Sequence, residues 1–421
     1  DIVAAFRRIA ETTPVDFCLG FFGDPMQKIY MDGVGAIDAP ADWRQFTKPE
    51  NFRCPQRVLR VVNAVRRPAN GLIQTRGRMD FIDGELVPVE GSARVFLLST
   101  DEHRSEKLAQ VREWLRRVNN DENWVSDDRS ADVRALVVVH RMAATRLGFP
   151  SLYAALNDNA PSSIKEGLKD GTAWPLRPFL NFLLPLAMAV HQDRQFDVMT
   201  LLRAECPLLS SAGLAGVNAP EVLASLRAST AELVRLMYSN DVSLRNILMF
   251  ATNARMLQLD EAWTKYLDAN PAVLAADDDP EVPSVTAFMD CSVSELNGYR
   301  HYLEDLSPFA TQQGVKGAEF ERVLVIVDDE EGREHRSFSY QKYFDMAALS
   351  DTDEENIANG TDNVVDRTRR LFYVCCSRAT RDLALVFFVS DTAFARQKIE
   401  EAGLFAPEDI VDEAALQADL V

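Results

Sequence analysis

The sequence predicts an α/β protein whose mostly parallel sheet is covered by helices and interrupted by a helical insertion. Two observations carry this. Short apolar runs rich in Val, Leu and Phe recur at 16–22, 92–98, 133–139, 322–328 and 383–389, and unbroken apolar strands of that kind suit a sheet buried on both faces. Between about 150 and 305 such runs vanish, and helical periodicity replaces them at 176–191, 219–238 and 243–257.

Taken in order, residues 2–12 read as an amphipathic helix. The run at 16–22 then delivers GDPMQ at its carboxyl end, where α/β proteins place ligand-contacting residues. Helical patterns at 56–67, 104–118 and 368–378 supply cover for the sheet, and AADDDPEVP at 275–283 breaks the helical region. The expected division is a first piece at 1–50, one α/β half at 51–150, a helical insert at 151–305, the second α/β half at 306–395 and an acidic tail at 396–421. The tail has enough apolar periodicity for a short helix, or is a partly disordered end.

Composition narrows the class. A chain of 421 residues with 47% hydrophobic and 26% charged residues is that of an ordinary globular protein. The six cysteines (18, 54, 206, 291, 375 and 376) form no C-x-x-C pair and have no His at zinc spacing, so a reducing cytoplasm is the simplest expectation. The apolar run near 179–190 contains Asn181 and Pro185 and is too short to span a bilayer, so no membrane partner is expected. A net charge of −19 argues against general nucleic-acid binding. Between Asn51 and Met79, however, lie seven arginines and no acid. They make either a local basic track or the solvated face of a helix. No carboxylate pair followed by Lys suggests a nuclease, and no Ser-His-Asp set is evident.

Four short patterns carry chemistry: GDPMQKIY at 23–30, NFRCP at 51–55, QQGVKGAEF at 312–320 and RTRRLFYVCCSRA at 367–379. Gly23 and Asp24 make a tight turn. The Gln27 amide, donor and acceptor at once, can feel whether a terminal phosphate is present, or is a plain surface group. Lys316 and Gly317 form a turn where Gly permits close backbone approach and neighbouring polar groups can reach phosphates. In the last pattern, helical spacing turns Leu371, Val374 and Cys375 to a core, and Arg370, Ser377 and Arg378 to another face.

In this order the four patterns resemble motifs III, IV, V and VI of the UvrD/Rep-like superfamily 1 DNA helicases. The resemblance is specific over 16–55 and 311–389. It implies a RecA-like parallel-sheet domain with an inserted helical subdomain, preceded by a remnant of a first RecA-like domain. It assigns Gln27, Arg53 and Arg378 to the γ-phosphate of ATP, Phe52 to adenine stacking and Glu319 to the ribose, with Gly317 in the nucleotide-side turn. Tyr30, Thr311, Gln313 and Lys316 would meet DNA, and so would His140 and Arg141 in VVVHRMAATR. Three departures stand out. Met31, Asp32 and Gly33 replace a frequent R-W-R-G, removing a base-stacking Trp. Gln313 and Ala318 stand where His and Leu are commoner. Arg367 and Thr368 occupy the place of two glutamates.

No G-x-x-x-x-G-K-[ST] loop and no DE-x-Q segment is present, so the phosphate cradle and magnesium carboxylates are missing from this chain. The expectation is the C-terminal part of an ATP- and Mg²⁺-dependent motor on single-stranded or partial-duplex DNA, stepping 3′ to 5′ and inactive by itself. The acidic tail or the helical insert would serve any protein partner. The competing class is a helicase-derived adaptor without motor activity.

Overall fold

The computed structural model describes residues 2–13, 18–29, 37, 43–126, 131–137, 140–158, 160–215, 218–268, 274, 278–303, 309–311, 315–330 and 337–420. The chain divides into two compact units, one formed by Asp1–Val138 with Gln312–Val421, the other by Val139–Thr311.

The first unit is built on five parallel strands, β1 (Ser92–Ser99), β2 (Val133–Val137), β3 (Phe320–Val327), β4 (Ala379–Val389) and β5 (Ile410–Asp412), in the spatial order β5-β1-β4-β3-β2. This is a RecA-like α/β fold. The centre of the sheet is dry: Leu383 to Phe388 of β4 and Val323 to Val327 of β3 are all buried. Each such side chain contributes about 1.5–3 kcal/mol on removal from water.

Helices α1 (Ile2–Thr12), α2 (Gln56–Asn70), α3 (Arg104–Asn119), α4 (Val364–Cys376), α5 (Thr392–Ala402) and α6 (Glu413–Leu420) belong to the same unit. An apolar stripe of Val58, Leu59, Val62 and Val65 buries one face of α2, which stops at Gly71 in the left-handed conformation (φ 66°). Helix α4 starts where the Asn363 side chain accepts the backbone N–H of Asp366, satisfying a donor that a helix start leaves orphaned.

Two expectations are corrected. Among the described residues of 16–22, which are 18–22, there is no strand. The stretch at 396–421 is not a tail: it completes α5, adds β5 beside β1 and closes with α6.

The second unit is helical, as its periodicity predicts. Its core gathers Phe149, Phe179, Phe182, Trp263, Phe288 and Tyr299. Pro185 lacks a backbone N–H, and the turn Phe179–Leu183 just before it widens to a π-helix, with Leu184 N–H reaching Phe179 O; such widening is common where a helix ladder is interrupted.

One buried ion pair fixes where β3 begins. Arg322 donates to Asp121 Oδ2 at 2.5 Å and to the Ala131 carbonyl at 2.6 Å, with both side chains almost wholly buried. The Phe320 N–H donates to the Arg378 carbonyl at 3.0 Å, so the starts of β3 and β4 are held side by side. Burial opposes the Asp121 charge, but Arg322 outweighs it and holds the carboxyl below its ordinary value of 3.8. A depressed carboxylate pKa stabilises the fold above the unfolded value and is lost as pH falls through the folded one. Asp121→Asn is therefore expected to cost about 3 kcal/mol at neutral pH, because it strands a buried guanidinium. In denaturant titrations the gap to the parent should shrink as pH drops below about 4.

Candidate functional site

The residues preceding β3 and β4 meet the loop before α2. Asn51 organises that loop: its Oδ1 accepts the backbone N–H groups of Arg53 at 2.9 Å and Cys54 at 2.8 Å. The turn sends Arg53 outward and Cys54, fully buried, inward. Arg53 Nε then donates to Glu319 Oε2 at 2.7 Å, and Nη1 to the Ser377 carbonyl at 3.3 Å.

Arg378 stands behind Ser377, only 2% exposed. Its guanidinium donates to the Val374 carbonyl at 2.9 Å, the Ala318 carbonyl at 3.0 Å and Ser377 Oγ at 2.8 Å. It thus caps the end of α4, where a cation suits the helix dipole. Burial, then the like charge of Arg53, pulls its pKa below the usual guanidinium value. Arg53, with 30% of its side chain exposed, is the more accessible of the two. Glu319 is 60% exposed, a partner held weakly enough to be exchanged.

Phe52 is 63% exposed, and the Arg76 guanidinium lies over its ring at 4.3 Å. Arg76 adopts φ 74°, a left-handed conformation that costs a non-glycine residue roughly 1 kcal/mol or more. The short parallel pairing of Glu50–Asn51 with Thr75–Arg76 holds it there.

Gln27 ends a single 3₁₀ turn, Pro25–Gln27, whose cap is Asp24, accepting the Met26 N–H at 3.1 Å. The same carboxylate receives both Arg66 Nη atoms, at 2.9 and 2.8 Å, the Tyr373 hydroxyl at 3.2 Å and the Gln27 amide at 3.4 Å. The Tyr373 oxygen in turn accepts Arg66 Nη1 at 2.8 Å and Gln74 Nε2 at 3.0 Å, and burial pushes its phenol up to about 12. Gln74 Oε1 accepts Asn51 Nδ2 at 2.9 Å. An unbroken run of hydrogen bonds thus leads from Gln27 through Asp24, Tyr373, Gln74 and Asn51 to the backbone of Arg53.

The structure therefore brings Arg53, Glu319 and Arg378 together, and ties Gln27 to them through Asp24, Asn51, Arg66, Gln74 and Tyr373, to which the sequence assigned no such role. Gly317 makes the turn before β3 with φ 92° and open space where a Cβ would stand, and Lys316 beside it is exposed. Arg141 pairs with Asp158 and lies over the Tyr153 ring, inside the helical unit. Tyr30, Gln313 and the Met31–Asp32–Gly33 departure fall outside the described residues, as do the side chains of His140 and Thr311.

Arg53, Arg57, Arg60, Arg66 and Arg78 each face a carboxylate, and Arg66 is buried. The departure at 367–368 also has a structural account. Arg367 donates to the Ser337 carbonyl and to Asp362, while buried Thr368 bonds the Val364 carbonyl and accepts the Ser339 N–H. Arg369 pairs with Asp366, and Arg370 with Asp362 and the Lys28 carbonyl.

Comparison with known proteins gives an informative likeness. The chain is 22% identical over 424 residues to the Gabija protein GajB of Bacillus cereus (strain HuB5-5), covering 95% of this chain and 58% of that protein. It thus spans somewhat over half the length of the relative it matches. No protein-family profile matches it. The likeness supports a helicase-related chain and nothing finer. Among the described residues no single helix is long and apolar enough to cross a membrane.

The hydrogen-bond run makes a direct prediction. Arg66→Met should destabilise the protein by about 2–3 kcal/mol, the cost of a stranded carboxylate discounted for the partial exposure of Asp24. Tyr373→Phe should cost about 1 kcal/mol. Both should speed amide hydrogen exchange over 23–29 while leaving β3 and β4 protected; unchanged exchange at 23–29 would refute the clamp.

Proposed function

We propose that this chain is the phosphate-sensing part of a UvrD/Rep-like superfamily 1 motor that couples ATP hydrolysis to 3′ to 5′ movement on single-stranded DNA in the cytoplasm. The observation that carries the reading is the run of hydrogen bonds joining Gln27 to Arg53. A group that reports on a terminal phosphate is useful only if its position is coupled to the arginine that touches that phosphate. The coupling described above has that form.

In this reading Arg53 releases the exposed Glu319, at a cost of roughly 0–1 kcal/mol, and turns its planar fork to the γ-phosphate oxygens. A permanently charged, bidentate donor suits the charge that develops in phosphoryl transfer. Arg378 stays fixed, orienting Ser377 and adding positive potential from behind. Glu319, once freed, is available to a ribose hydroxyl, and the exposed face of Phe52 to adenine. Gly317 lets the turn before β3 approach the nucleotide. Lys316, Tyr30, Thr311, Gln313 and His140 would contact the DNA strand; Arg141 would have to leave Asp158 to do so. The bound nucleotide and Mg²⁺ supply the scissile phosphate and its charge neutralisation, with magnesium ligands expected in a P-loop-bearing part of the parent protein.

Turnover of ATP by the parent protein, with and without single-stranded DNA, tests this. Strong stimulation is expected, and Arg53→Ala should lower kcat about a thousandfold, the scale of a lost arginine finger. The 421 residues alone should match a buffer blank. A parent that DNA does not stimulate would favour the adaptor class, and an Arg53→Ala parent at full rate would remove Arg53 from the chemistry.

A further inference from the structure

A cavity of about 380 Å³ lies in the first unit at the N-terminal ends of β1 and β4, on the far side of β4 from β3. Arg57, Arg94, Arg381, Asn119, Glu90 and Asp382 line it, and none of the functions above uses it.

Its arginines are incompletely satisfied. Arg57 lies 3.3 Å from Asp409 and 3.4 Å from Glu90, Arg94 is 4.0 Å from Asp409, and Arg381 is 3.8 Å from Asp121 and 3.6 Å from Asp382. Well-made charge-assisted N–H···O bonds run at about 2.7–2.9 Å, as the Arg66–Asp24 pair does. The three guanidiniums thus keep donor capacity beside a cavity.

A fourth donor sits with them. Arg94 Nη1 donates to Asn119 Oδ1 at 2.7 Å, which fixes the amide with its carbonyl toward Arg94. The Asn119 Nδ2 left over is buried and has no hydrogen-bond partner among the described residues. An orphaned buried donor costs about 1–3 kcal/mol unless something accepts from it. Arg94 is also held in place, stacked over the Trp114 ring at 5.3 Å. Acid is present too: Asp382 accepts the Ser92 hydroxyl at 2.6 Å and burial raises its pKa, while Glu90 and Asp409 face Arg57.

We propose that this cavity binds a small phosphate-bearing anion of about pyrophosphate size, held by the forks of Arg57, Arg94 and Arg381 and by Asn119 Nδ2. Guanidinium forks match phosphate oxygens two at a time. Among the described residues no aromatic side chain lines the cavity, so recognition falls on the phosphate rather than on a stacked base. The site is separate from the one around Arg53, and its existence does not depend on the motor reading.

Calorimetric titration of pyrophosphate into the 421-residue protein at low salt tests the assignment. Saturable binding is expected, weakened roughly tenfold or more by Arg381→Gln and by Asn119→Asp, the loss of one charged hydrogen bond or its replacement by repulsion. Asn119→Asp preserves shape and offers Arg94 a carboxylate, so its melting temperature should hold or rise while binding falls. Arg53→Gln should leave unchanged the binding component that Arg381→Gln and Asn119→Asp weaken. Absence of saturable binding would overturn the proposal. So would binding lost in Arg53→Gln but kept in the other two variants, which would assign the anion to the Arg53 site.

Discussion

The candidate site depends on one carboxylate. Asp24 caps the turn that carries Gln27, accepts hydrogen bonds from both outer nitrogens of Arg66, and accepts one from the Tyr373 hydroxyl. Three stretches distant in sequence are joined there: the loop at 23–29, helix α2 and helix α4. Inside a protein such a network is strong when every member is satisfied and costly when one is missing. Here the Arg66 fork and the carboxylate saturate each other, and the phenol oxygen distributes the remaining donors. Without that centre Gln27 would sit on a one-turn helix with nothing to relate it to Arg53.

Around Ser377 the electrostatics run the other way. Two guanidiniums converge on one residue, Arg53 on its carbonyl and Arg378 on its hydroxyl, with a single exposed carboxylate, Glu319, to offset them. Backbone carbonyls at the end of α4 make the buried charge tolerable without neutralising it. Local positive potential of this kind attracts anions even when the chain as a whole carries a charge of −19. The cavity beside β1 repeats the arrangement, with loosely paired arginines in place of a tightly held one.

Much of this was legible in the sequence because it rests on local patterns. Apolar runs at 92–98, 133–139, 322–328 and 383–389 announce the four strands, and 3.6-residue stripes announce α2 and α4. Strand β5 was not announced: its three residues, Ile410–Asp412, lie inside an acidic stretch and become a strand only because β1 offers an open edge. The arginines after Asn51 were legible as a charge cluster, but their ion pairs were not. Some partners are far along the chain, Glu319 for Arg53 and Asp409 for Arg57, and no local window contains both halves of such a pair. Asp24 was visible only as a turn residue for the same reason. Its main partners, Arg66 and Tyr373, arrive from two other elements.

The strand order also governs how the chain is made. Strands β1 and β2 precede the helical unit, yet they are not neighbours: the two strands that separate them in the sheet are β3 and β4, encoded after the whole helical unit. At ribosomal speeds of about 5–20 residues per second, β1 waits roughly 15–60 s for the central strand it pairs with. The helical unit, with its own core, emerges complete in that interval and can fold first. Nascent chains therefore carry unpaired apolar β1 and β2 segments beside a finished helical body, a state prone to association through strand edges. Because β4 follows the helical unit in the chain, the sheet and both arginine-rich sites are committed only after that unit has been made.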